Sequence, residues 1–155
     1  MSQPFHQQTW NNRYQAMGDE AEGIFEQTHK LNWVRTGLNR PPLQMSQLSL
    51  AVRYMPDYLT SRCWVEVQGC GRDKVVRIKA EKIEALLEWS SLDHPVEFFF
   101  WDTTNKRHCQ VPLADVVRAV RELEQNLYPE GKVFFEIPTD LFEWEPYVPS
   151  QEEPQ

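Results

Sequence analysis

At 155 residues, with 41% hydrophobic and 25% charged residues, the chain is long enough for one well-buried domain and has the balance of a globular protein. No apolar run reaches membrane-spanning length and the stretch 1–12 is polar, so neither a membrane span nor a secretory leader is expected and a cytoplasmic location follows. Cys63, Cys70 and Cys109 lack metal-ligand spacing and read as reduced thiols, and a net charge of −7 excludes polyanion binding driven by bulk charge alone.

In chain order, residues 1–15 read as a polar N-terminal arm, 16–137 as the folded domain and 138–155 as an acidic, aromatic tail. The spacing of Ala21, Ile24, Phe25 and Thr28 predicts a helix over Met17–His29. Trp33–Thr36 reads as a short strand and Gly37–Gln47, with Pro41 and Pro42, as a loop over a cleft or at a partner surface. Two apolar-rich runs, Leu48–Leu59 and Cys63–Val67, flank the polar Thr60-Ser61-Arg62 segment and predict a β-hairpin.

Gly69-Cys70-Gly71 is expected to turn the chain; it is either a plain tight turn or a place where a phosphate backbone approaches closely. Ile78, Ile83, Leu86 and Leu87 form the stripe of a second helix over Lys79–Trp89, whose Lys79 and Lys82 oppose the helix dipole near its start, as a solvated face commonly does and as a contact with DNA or phosphate would. Val96–Trp101 is nearly continuous in apolar residues and predicts a central strand, followed by a turn at Asp102–Asn105 and a partner strand Arg107–Val111. His108-Cys109 reads as part of that strand rather than as metal ligands. A third helix is expected over Leu113–Leu127 and a last strand over Val133–Ile137, ended by Pro138. In the tail, Phe142, Trp144 and Tyr147 alternate with acids, as in a strap across the domain or a contact with a second subunit.

The hairpin carries the chemistry. Side chains alternate along its second strand, so Trp64, Glu66 and Gln68 share one face, and an antiparallel neighbour sets Asp57 close to Glu66. Two carboxylates held together repel unless a cation lies between them, and hard oxygen donors favour Mg²⁺, with Mn²⁺ as a substitute. That points to a metal-dependent phosphodiesterase. Taken singly, each acid has a structural explanation: Asp57 caps a turn after Pro56, and Glu66 follows ordinary alternation.

Pro56-Asp57, a gap of eight residues and Glu66-Val67-Gln68 together resemble the signature of the PD-(D/E)xK nuclease superfamily. Upstream, Gly18-Asp19-Glu20-Ala21-Glu22 is similar to the Gly-x-x-x-Glu helix start of Holliday junction resolvases and RecB-like nucleases, in which the Glu completes the metal site. The resemblance implies an α/β fold: a mixed sheet with a restriction-endonuclease-like αβββαβ core and a C-terminal extension. It implies Mg²⁺ held by Glu22, Asp57, Glu66 and the Val67 carbonyl, with catalytic roles for Asp57, Glu66 and Gln68. The usual Lys is Gln68 here; restriction-type members resemble this chain in that respect, and Lys79 or Lys74 is the expected source of the missing charge.

Branched or double-stranded DNA is the implied substrate, cut by a homodimeric endonuclease; a RecB-like exonuclease, a restriction-type enzyme and a catalytically silent DNA- or protein-binding module are the alternatives. Net acidity is concentrated in Glu136, Asp140, Glu143, Glu145, Glu152 and Glu153, which leaves the rest of the chain close to neutral. Arg35, Arg53, Arg62, Arg72 and Lys74 are the candidate DNA contacts, with Arg40 and Arg77 in the same basic stretch.

Overall fold

The computed structural model describes residues 17–38 and 48–149. The expected arm, Arg40 and most of the Gly37–Gln47 loop lie outside the described residues. Helix α1 (Asp19–His29) has Asp19, Glu20 and Glu22 in its first turn, complementing the helix dipole, and buries Ala21 and Phe25. Strand β1 (Val34–Arg35) pairs antiparallel with β2 (Tyr58–Leu59), which pairs antiparallel with β3 (Trp64–Cys70). Strands β3 and β5 (Val96–Asp102) run parallel in the middle of the sheet, and β5 continues antiparallel into β6 (Arg107–Pro112) and then β9 (Glu145–Pro146).

A second sheet departs from expectation. After β3 the chain leaves the main sheet as β4 (Val75–Lys79), which pairs with β8 (Val133–Pro138) and, through it, with β7 (Asn126–Leu127). Helix α3 (Ala80–Ser90) then returns to β5, completing the crossover that a parallel pair requires. Helix α4 (Leu113–Val120) stops well before Leu127, because Leu127 pairs with Val133 and Tyr128 stacks on Phe134 with ring centroids 4.1 Å apart.

The first arm of the expected hairpin is also different. Ser49 caps a short helix, α2 (Leu50–Arg53), by accepting from the Val52 amide, so Tyr58–Leu59 is all that pairs with β3. The architecture is mixed α/β; its order of elements inserts α2 and β4 into the αβββαβ pattern.

Two cores flank the main sheet. On one face α1 packs Ala21 and Phe25 against Tyr58, Val65, Val67, Phe99 and Trp101. On the other, α3, α4 and the small sheet enclose Val76, Ile78, Ile83, Leu86, Phe98, Phe100, Val116 and Ile137. Gly69 belongs to β3, opposite Trp101, rather than to a turn. A Cβ there would lie 2.8 Å from Met17 Cβ and 3.2 Å from its carbonyl oxygen, so the glycine admits the start of α1, not a phosphate. The tail straps the domain in cis: Phe142 packs on Phe100, Trp144 Nε1 donates to Thr139 O at 2.7 Å, and Tyr147 meets Trp101 edge-on.

Candidate active site

Asp57 is fixed from both sides. Its carbonyl accepts from the Thr36 and Gly37 amides at 2.8 and 3.0 Å, while Thr36 Oγ1 donates to Pro56 O at 2.6 Å. Tyr58 stands opposite Val65 and Leu59 opposite Trp64, so continuing the register by one residue sets Asp57 against Glu66. The β2 ladder ends there, and Asp57 Oδ2 accepts the Val67 amide at 2.9 Å in place of a backbone partner. Since the N–H and C=O of a strand residue point to one edge, the Val67 carbonyl lies on the Asp57 side of β3.

Glu66 and Gln68 face α3, as the packing of Trp64 on Trp89 from that helix requires. Glu66 is buried and forms an ion pair with Lys82, in the first turn of α3. Burial and the neighbouring Glu66 charge push the Asp57 carboxyl well above the usual carboxylate range, against the pull of Lys82. Burial likewise raises Glu66, and Lys82 only partly offsets it. Burial draws the Lys82 ammonium down, but the Glu66 and Asp57 carboxylates outweigh that effect and its pKa ends above the ordinary lysine value. Lys82 also lies 5.9 Å from the centre of the Tyr54 ring. Tyr54 donates to Glu81 at 2.5 Å, and Glu81 accepts from Lys132 at 2.9 Å.

Glu22 reaches the same region from α1: its charge acts on both Asp57 and Glu66. It is buried and ion-paired with Arg35. Arg35 also donates to Tyr58 Oη at 2.8 Å, and Tyr58 donates to Glu26 at 2.6 Å. Arg35 is therefore turned into the protein, holding Glu22, where the sequence had suggested a DNA contact.

The remaining residues divide by position. Lys79 caps α3 and directs its ammonium to Glu130 at 3.9 Å and to the Tyr128 ring at 5.7 Å; the cation that touches Glu66 is Lys82. Gln68 is half-buried two residues beyond Glu66. Arg72 and Lys74 are exposed in the β3–β4 turn just past Gln68, whereas Arg62 is exposed at the opposite end of β3. Arg53 is half-buried, and its Nε has no hydrogen-bond partner among the described residues. Among the described residues no three His, Cys, Asp or Glu side chains converge as a ready-made metal cluster. The pair Asp57–Glu66, the Val67 carbonyl on the same edge and a nearby Glu22 still suit Mg²⁺, which takes one or two protein carboxylates and fills its other positions with water and phosphate oxygens.

Sequence reasoning noticed Lys82 only for its place near the helix start and did not assign it to the site, and it passed over its neighbours Tyr54 and Glu81. The available signal was helical phase: Lys82 precedes the buried Ile83 and lies four residues before the buried Leu86, on the side of α3 that meets the sheet.

No family model matches the chain, and no curated protein matches it. Among solved structures, it is similar to D212, a nuclease from a fusselovirus, with a TM-score of 0.50 and 10% sequence identity over 94% of this chain and 90% of that one. At that identity the likeness is one of fold: the chain shares the mixed α/β architecture of a viral nuclease.

Proposed function

We propose that the chain is a metal-dependent endodeoxyribonuclease that hydrolyses phosphodiester bonds in branched DNA, in the manner of a Holliday junction resolvase. The observation that carries this reading is the buried Asp57–Glu66 pair where the β2 ladder along β3 ends. The fold shared with a viral nuclease supports it independently.

Asp57, Glu66 and the Val67 carbonyl would hold Mg²⁺ or Mn²⁺, with Glu22 completing the set through water. Such an ion supplies a bound water of lowered pKa and positive charge beside the phosphate. Gln68 orients the attacking water through its amide. Arg72 and Lys74, in the turn beyond Gln68, would track the phosphate backbone, and Arg53 and Arg62 are the further DNA contacts of this reading. Two opposed strands must be cut in a junction, so the reading includes a symmetric homodimer, acting in the cytoplasm.

A second reading, a nuclease fold that binds DNA or a protein without cutting, is favoured by the Lys82–Glu66 ion pair and by Gln68 in place of lysine. Cleavage of a labelled four-way junction, a linear duplex and a single strand in Mg²⁺, Mn²⁺ or EDTA separates the readings, with Asp57→Ala as control. Paired symmetric nicks, lost in EDTA and in the variant, support the resolvase. Digestion from free ends supports a RecB-like exonuclease. No cleavage in either metal leaves the binding module.

A further inference from the structure

We propose that Lys82 is the cationic catalytic residue of this site, delivered from helix α3 in place of the lysine that strand β3 lacks, and that Tyr54 is its positioning residue. The inference rests on the nuclease reading and assigns a residue that the sequence pattern did not.

Geometry carries it. A strand-borne lysine at position 68 would project from the same face of β3 as Glu66, because side chains two residues apart share a face. Helix α3 covers that face, so an ammonium descending from α3 enters the same space from above. Lys82 does so: its Nζ pairs with Glu66, it acts electrostatically on Asp57, and its side chain is largely enclosed.

The two lysines expected for this role are elsewhere. Lys79 faces Glu130 and Tyr128, and Lys74 is exposed in a turn with φ of 57°. The Lys82 ammonium also lies 5.9 Å from the centre of the Tyr54 ring, and that ring is held by its hydroxyl on Glu81. Glu81 is fixed in turn by Lys132 from the small sheet.

In hydrolysis the water oxygen forms a bond to phosphorus, the bond from phosphorus to the leaving sugar oxygen breaks, the water loses a proton and the leaving oxygen gains one. Lys82 keeps its own proton throughout. Its fixed charge offsets the negative charge that grows on the non-bridging oxygens, where Gln68 brings only an amide dipole. The same ammonium also competes with a divalent ion for Glu66, so removing it has opposite effects on metal binding and on turnover.

The test measures single-turnover junction cleavage and Mn²⁺ affinity, the latter by electron paramagnetic resonance, on folded wild type, Lys82→Met, Lys82→Arg, Lys79→Met and Tyr54→Leu. Lys82→Met keeps an unbranched side chain one atom shorter and removes its charge. The expected result is cleavage slower by about 100-fold or more in Lys82→Met. Its Mn²⁺ binding is tighter by about tenfold. Lys82→Arg restores part of the rate, Tyr54→Leu lowers the rate without loss of Mn²⁺ affinity, and Lys79→Met stays near wild type. Lys82→Met cutting like wild type, or Lys79→Met losing activity in its place, overturns the assignment while leaving the nuclease reading intact. Unchanged Mn²⁺ affinity in Lys82→Met overturns the seating of Lys82 on Glu66. A wild type that cuts no substrate removes the nuclease reading, and the catalytic role with it.

Discussion

Asp57 Oδ2 accepts the Val67 amide at 2.9 Å, so a single carboxylate both replaces a missing ladder hydrogen bond and stands beside Glu66. Structural and chemical demands on Asp57 therefore conflict. Its burial next to another acid holds its carboxyl well above the ordinary range, so between the ordinary aspartate pKa and the raised one the native state binds more protons than the unfolded chain. That contribution to stability falls as pH rises from the ordinary aspartate value through the raised one.

Asp57→Asn separates the two demands. The amide oxygen still accepts from Val67, and the repulsion with Glu66 disappears. In EDTA the variant is expected to have a higher urea midpoint than wild type at pH 7, with the difference shrinking as the pH is lowered towards 5. Its cleavage falls by at least about 10²–10³-fold. A urea midpoint at or below that of wild type at pH 7 would show that the buried pair is not under electrostatic load.

Asp102 has the opposite sign. Burial alone would raise its carboxyl, but hydrogen bonds from Asn105 and Arg107 outweigh it and hold the pKa below the usual range. Its stabilisation is present above the ordinary aspartate pKa and is lost as pH falls through the depressed one. Asp102→Ala is expected to cost about 2–4 kcal/mol at pH 7, because four donors in the β5–β6 turn lose their acceptor. Chemical denaturation at stepped pH should show the deficit narrowing below about pH 4.

Gly69→Ala tests the close approach of α1. Neither Met17 Cβ nor its carbonyl oxygen is the free end of a side chain, so the start of the helix has to move. A loss of about 1–3 kcal/mol is expected in thermal or urea unfolding. Because Glu22 rides on that helix, Mn²⁺ affinity should weaken as well. An unchanged melting temperature would place α1 farther from β3 than 2.8 Å permits.

Arg35 and the turn residues make a contrasting pair. Arg35→Met leaves Glu22 buried without its guanidinium and is expected to cost about 2–4 kcal/mol, with little change in how DNA affinity depends on salt. Arg72→Ala and Lys74→Ala should leave stability within about 0.5 kcal/mol and each lower the salt slope by about 1. Fluorescence anisotropy over a salt series, alongside urea melts, checks both. A reduced slope in Arg35→Met would restore it as a phosphate contact.

The Asp57–Glu66 juxtaposition was legible in the sequence because alternation with period two is local and a Tyr58-to-Val65 register follows from a short turn. So was the β5–β6 hairpin, with its run of apolar residues and its Asp102–Asn105 turn. The small sheet was not, since β4 finds its partner more than fifty residues away and nothing near Val75 announces that pairing. Lys82 was hidden for a related reason: Lys79 and Lys82 look alike in a list of residues, and helical phase against a sheet decides which one reaches Glu66. Gly69 was read as a turn because a glycine admitted for close packing and one admitted for bending are the same letter.

The outer strands of the main sheet, β1 and β9, are two residues long among the described residues, and β9 ends in Pro146, which has no amide to donate. Among the described residues, β1 and β9 each offer a lateral neighbour a ladder of only two residues. At those two strands, copies of this chain would meet through side chains more than through backbone, so such a contact could be altered by surface substitution without unpicking the sheet.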